Sequence, residues 1–182
     1  MSSWGATDAN EAKPKWLTAA QKTDTFADSR GWVYRDPNTG LEEVLVAIGQ
    51  LSGSTKLNIA DVTAVNFTTT SFSEAAGGNI DIAVSFNEKI TVTGSPTITV
   101  TNDQAGAGTD ATFTATYQSG SGRNKLTFRA TYAAADGGVA EDDVLSIADQ
   151  NIALAGGTLV DGEAVNAAVA IAGVTSTLTI SA

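Results

Sequence analysis

Histidine and cysteine, the side chains most often recruited for chemistry near neutral pH, are both missing from these 182 residues. Their absence removes imidazole bases, serine-hydrolase triads, thiolate nucleophiles, disulfides and cysteine-based zinc sites. The 20 acidic residues are the next resource. Glycoside hydrolysis needs two carboxyl groups with separated acidities. No pair here sits in an aromatic-lined stretch, and the region richest in acids has no tryptophan. The segment Asp136-Gly-Gly-Val-Ala-Glu-Asp-Asp143 offers oxygen ligands of the kind Ca²⁺ takes, but without EF-hand spacing. It reads as a solvated loop, and Asp103, Asp110, Asp149, Asp161 and Glu163 read as turn residues. The glycine-rich Ala105–Gly108 is followed by no Lys-[Ser/Thr], so it is not a phosphate loop. The expectation is a non-enzyme with no cofactor and no metal.

Binding chemistry is better represented. Trp4, Trp16 and Trp32 all fall in the first 32 positions, among Lys13, Lys15, Lys22, Arg30 and Arg35. Large aromatics on a segment too short to form its own core need another surface, either a partner's or the chain's own body. Trp4 and Trp16 are expected to meet a partner, whereas Trp32 suits an intramolecular core. The cations either pair with acids on a partner or serve solubility. The candidate partner-binding set is Trp4, Lys13, Lys15, Trp16, Trp32, Tyr34 and Arg35.

Charge and hydropathy narrow the partners. Ten basic against 20 acidic residues give a net charge of −10, which disfavours a phosphate backbone, so no nucleic acid is expected. No run of about 18 apolar residues is present, so no membrane span is expected. The opening Met1–Asp8 lacks a basic stretch followed by an apolar one, so no secretory signal is expected.

The elements that must position these residues divide the chain in two, 1–57 and 58–182. Charge is nearly balanced before Asn58, whereas the remainder carries 4 basic and 13 acidic residues and 19 threonines. Within it Ile80–Phe86, Thr97–Thr101, Thr112–Tyr117 and Leu126–Thr131 alternate apolar with polar residues, as half-buried strands do. Gln118–Asn124 reads as a hairpin loop. Further apolar runs at Val144–Ile147, Ile152–Leu154, Val165–Ile171 and Leu178–Ile180, separated by glycine-rich turns, predict a two-sheet antiparallel sandwich. Before it, Met1–Thr18 reads as an extended arm, and Thr18–Ala27 as a short helix with Thr18 as N-cap. Gly31–Asp36 and Leu41–Ile48 form a hairpin across the turn Asp36-Pro-Asn-Thr-Gly40, and Gly49–Leu57 is a linker.

Three segments carry a resemblance. Ile80–Val100, Tyr117–Phe128 and Leu154–Asp161 resemble, in order, the opening strand pair, the "Y-x-S-G-S-G" hairpin and the "L-x-G-G" run of bacterial Ig-like domains from surface proteins. The match covers about Val62 to Ile171 and departs at Asn87 and in the alanine-rich Asn166–Ala172. Ser3–Asp8 followed by Lys13-Pro-Lys15-Trp16 is similar to the starts of virion structural proteins of marine tailed phages. Together the resemblances imply an all-β chain, with an Ig-like antiparallel β-sandwich preceded by an N-terminal arm and hairpin. They imply a capsid decoration (cement) protein on the virion surface, assembled in host cytoplasm. Its partners would be the major capsid protein and neighbouring copies of itself, with the sandwich free for host-surface contact. A tail or baseplate receptor-binding protein and a bacterial surface-adhesin module are the alternatives.

Overall fold

A computed structural model describes residues 13–28, 30–47, 59–102, 112–134, 138–161, 166–172 and 176–181. Trp4 with the rest of the leader up to residue 12, the linker Gly49–Leu57, Ala105–Gly108, Asp103, Asp110, Asp136 and Glu163 lie outside them.

The short helix starts where the sequence places it. Thr18 has extended dihedrals, and its Oγ1 accepts from the Gln21 backbone N–H at 3.2 Å. Gln21 Oε1 in turn accepts from the Thr18 backbone N–H at 3.0 Å, closing a capping box around α1 (Ala19–Thr23). The helix stops at Asp24, earlier than expected. Thr25 and Phe26 are buried and begin a strand, β1 (Thr25–Asp28), that pairs antiparallel with β2 (Gly31–Arg35). Here tertiary pairing of two good strand formers overrides helix continuation.

β2 and β3 (Glu42–Ala47) form the expected hairpin, with a register shift between Trp32 and Val33. Its turn is built by Asp36, whose Oδ1 accepts from the N–H groups of Asn38 (2.8 Å) and Thr39 (3.1 Å). Gly40 closes it at φ +72°, a left-handed conformation that glycine adopts without steric cost.

The remaining elements are β4 (Val62–Phe67), β5 (Phe72–Ser73), β6 (Gly78–Thr93), β7 (Thr97–Asn102), β8 (Thr112–Ser119), β9 (Arg123–Tyr132), β10 (Val144–Ser146), β11 (Gln150–Asn151), β12 (Thr158–Val160), β13 (Ala170–Ile171) and β14 (Thr177–Ser181). Strand pairing runs β3-β2-β1-β6-β9-β8-β7-β10-β14-β5, with β4 and β12 also on β6 and a separate β11–β13 pair. The described residues are therefore all-β apart from one short helix.

β6 organises this sheet. It pairs with β9 from Gly78↔Tyr132 to Ser85↔Lys125, with β4 through Val62↔Phe86 to Phe67↔Ile82, and with β12 at Thr91–Thr93. Ile80, Ile82, Val84 and Phe86 of β6 join Leu126 and Phe128 of β9, Ile98 and Val100 of β7, Leu145 of β10 and Ile180 of β14 in one buried cluster. Each such side chain stabilises the fold by about 1.5–3 kcal/mol when fully buried. Edge-to-face contacts of Tyr132 with Phe113 (5.2 Å) and Phe72 (6.2 Å) extend it. The far strands come back towards β4: the Phe67 N–H donates to Ser176 Oγ at 3.1 Å, and the Ala168 N–H to the Ala60 carbonyl at 2.8 Å.

The N-terminal elements attach to this body through β1, which runs parallel to β6 at Ala27↔Glu88. Lys89 lies 4.8 Å from the centre of the Phe26 ring and reaches Glu42 (3.4 Å) and Asp28 (3.8 Å). Lys125 of β9 pairs with Asp24, and Asn124 Nδ2 donates to the Thr23 carbonyl at 3.3 Å. A lone two-stranded hairpin is marginal in water, and these contacts are its support.

Candidate docking surface

Ahead of the helix, a turn from Lys13 to Leu17 sorts its side chains sharply. Pro14 and Leu17 are buried, and the Leu17 N–H donates to the Pro14 carbonyl at 3.3 Å. Lys13 is only 1% exposed, and its Nζ donates to the Lys22 carbonyl in the last turn of α1 at 2.6 Å. An ammonium at a helix C-terminus meets carbonyls that have no partner within the helix, and the dipole there favours it. Burial nevertheless pushes Lys13 down to about 8, against the attraction of Asp24 and helped by repulsion from Lys22.

Between these anchors the chain turns Lys15 and Trp16 outward. Trp16 is 69% exposed, unusual for the largest amphipathic side chain. The turn beneath it is fixed by Lys13 and Leu17, so this indole is held out from a built base. Trp32 goes the other way: on β2 it is 2% exposed and forms part of the core. Tyr34 and Arg35, further along the same strand, are half-buried. Arg35 Nη2 pairs with Glu42 Oε1 at 2.9 Å. Glu42 also accepts from Arg30 Nη2 at 2.5 Å. Arg30, ahead of Lys89 and Arg35, holds the Glu42 carboxyl below the usual carboxylate range.

Of the residues singled out from sequence, Lys15 and Trp16 thus share an exposed turn, while Tyr34 and Arg35 lie on the neighbouring hairpin. Lys13 and Trp32 are engaged inside the chain, because one meets a helix end and the other the hairpin core. The burial of Trp32 agrees with the intramolecular core expected for it. Two further exposed apolar side chains, Leu41 (73%) and Val44 (39%), sit on or beside the edge strand β3. They were missed in the sequence because they fall within a run that reads as ordinary strand.

The acidic loop is partly structural. Asp143 is buried, and its Oδ2 accepts from Asn102 Nδ2 (2.5 Å) and from the Ala140 N–H (2.8 Å), which pins the loop to the end of β7. That carboxylate is used by the fold rather than by solvent, unlike the solvated role expected of it. Asp161 is also buried.

These features define an all-β protein with an exposed aromatic turn ahead of its short helix. No protein-family model, curated protein or solved structure matches the chain.

Proposed function

We propose that the protein is a non-enzymatic structural component of a virion, a capsid decoration (cement) protein that docks through its N-terminal elements and displays an Ig-like β-sandwich. The observation that carries this reading is Trp16, a 69% exposed indole on a turn anchored by two buried side chains. A rigid aromatic beside a cation is the usual anchor of a protein interface, since it buries a large area at little entropic cost. The finer fold assignment draws support from the return of Ser176 and Ala168 to β4, which suits two facing layers over one apolar cluster. The strongly acidic body suits a module that stays soluble while facing outward from a particle.

Docking would seat Trp16 and Lys15 on the major capsid protein, with Tyr34, Arg35 and the leader bearing Trp4 extending the contact to it or to neighbouring copies. Quantitative mass spectrometry of purified intact particles tests this reading. Decoration predicts hundreds of copies in each. A symmetric number, about six or twelve, would move the protein to the tail or a vertex, and absence from particles would overturn the reading.

A further inference from the structure

We propose that the cleft between the β2–β3 turn and the β8–β9 turn is a seat for a carboxylate group presented by an acidic protein segment. This deepens the docking reading by naming the chemistry of a partner contact, and it rests on that reading only for the partner's identity. The cleft encloses about 140 Å³, and Arg35, Arg123 and Lys125 bring three cations to its wall. The chain as a whole carries twice as many acids as bases, so this gathering stands against the overall charge.

Two carboxylates also line the cleft, and both have partners. Asp36 accepts from the backbone N–H groups of its own turn, and Asp24 pairs with Lys125. The guanidinium groups are less well provided for. Arg35 uses Nη2 on Glu42, while its buried Nε and Nη1 have no hydrogen-bond acceptor among the described residues. A buried donor without an acceptor is unfavourable, and a guanidinium turned toward an anion in the cleft would relieve it. The Arg123 side chain is exposed and has no ion-pair or hydrogen-bond partner among the described residues. Guanidinium forks match planar carboxylates bidentately, and a recess of this size takes one such group with little room beyond it.

The test is a titration of the full chain in low-salt buffer, read by the Nε–H resonances of its arginines in ¹⁵N NMR. The probes are a blocked tri-glutamate peptide and, separately, inorganic phosphate. The expected result is saturable shifts at Arg35 and Arg123 with the peptide, at a Kd on the order of 1 mM. R123Q should weaken it at least about tenfold, the size of one charge-assisted hydrogen bond, without lowering Tm. R35K, which keeps the charge and loses the fork, should also weaken it. Absence of saturation, unchanged affinity in R123Q, or saturation by phosphate but not by the peptide would overturn the assignment. The readout uses no particle, so loss of this site and loss of the virion role are separable results.

Discussion

Lys13 shows how one side chain can be both anchor and liability. Its ammonium satisfies the Lys22 carbonyl, yet burial lowers its pKa from 10.5 to about 8. Asp24, itself paired with Lys125, draws on the same proton, and Lys22 repels it. Between pH 8 and 10.5 the unfolded chain holds a proton on this lysine that the folded chain has released. Stability should therefore rise with pH across that window, by up to about 3 kcal/mol at its top. Denaturant titrations of wild type and K13M from pH 7.5 to 9.8 measure it. The wild type should gain stability relative to the variant as pH rises, and parallel curves would refute the assignment. Burial and the nearby Asp36 and Asp24 push the Tyr34 hydroxyl upward in both proteins, so its contribution cancels in the difference between the curves. None of this was legible in the sequence, where Lys13 reads as a cation for a partner's acids or for solubility. Its burial depends on where α1 ends, and that depends on β1 pairing with β2.

At the level of elements, turns separate what glycine provides by conformation from what it provides by size. The β8–β9 hairpin contains both cases. Gly122 sits at φ +78° with open space around a would-be Cβ, so G122A should cost about 1 kcal/mol from backbone strain alone. Gly120, at φ +111°, would bring its Cβ within 2.2 Å of the Lys125 carbonyl oxygen. G120A must therefore shift backbone as well, and a loss of more than about 2 kcal/mol is expected. Chemical denaturation of the two variants checks the order, which equal losses would contradict. This hairpin, the Thr18 N-cap and the Asp36 turn were readable because their signals are local. β6 was only half readable. Its alternation ends at Phe86 in the sequence, yet the strand continues through Asn87, Glu88 and Lys89 to Thr93. Asn87 and Glu88 are buried directly after Phe86, so the apolar-in, polar-out period that marks a half-exposed strand is lost there. The short pairs β5, β11 and β13 carry too few residues for any period.

Across the whole molecule, the boundary drawn at residue 57 from composition and charge is crossed by strand pairing. β1 joins β6, and Asp24, Asp28 and Glu42 reach Lys125 and Lys89. These contacts join residues some 50 to 100 positions apart, which no local pattern announces. The same holds for the cleft of Arg35, Arg123 and Lys125, whereas the clustering of tryptophans near the start was plain. What composition could not give was their sorting, with Trp32 inward and Trp16 outward. That sorting carries the functional proposal, and one comparison tests it most directly. Particles stripped of this protein are incubated with wild type or W16A, and the bound fraction is measured by sedimentation. W16A should bind at least about thirtyfold more weakly, as befits an interface anchor worth 2 kcal/mol or more, while its Tm stays at the wild-type value. Undiminished binding by a folded W16A would contradict the account.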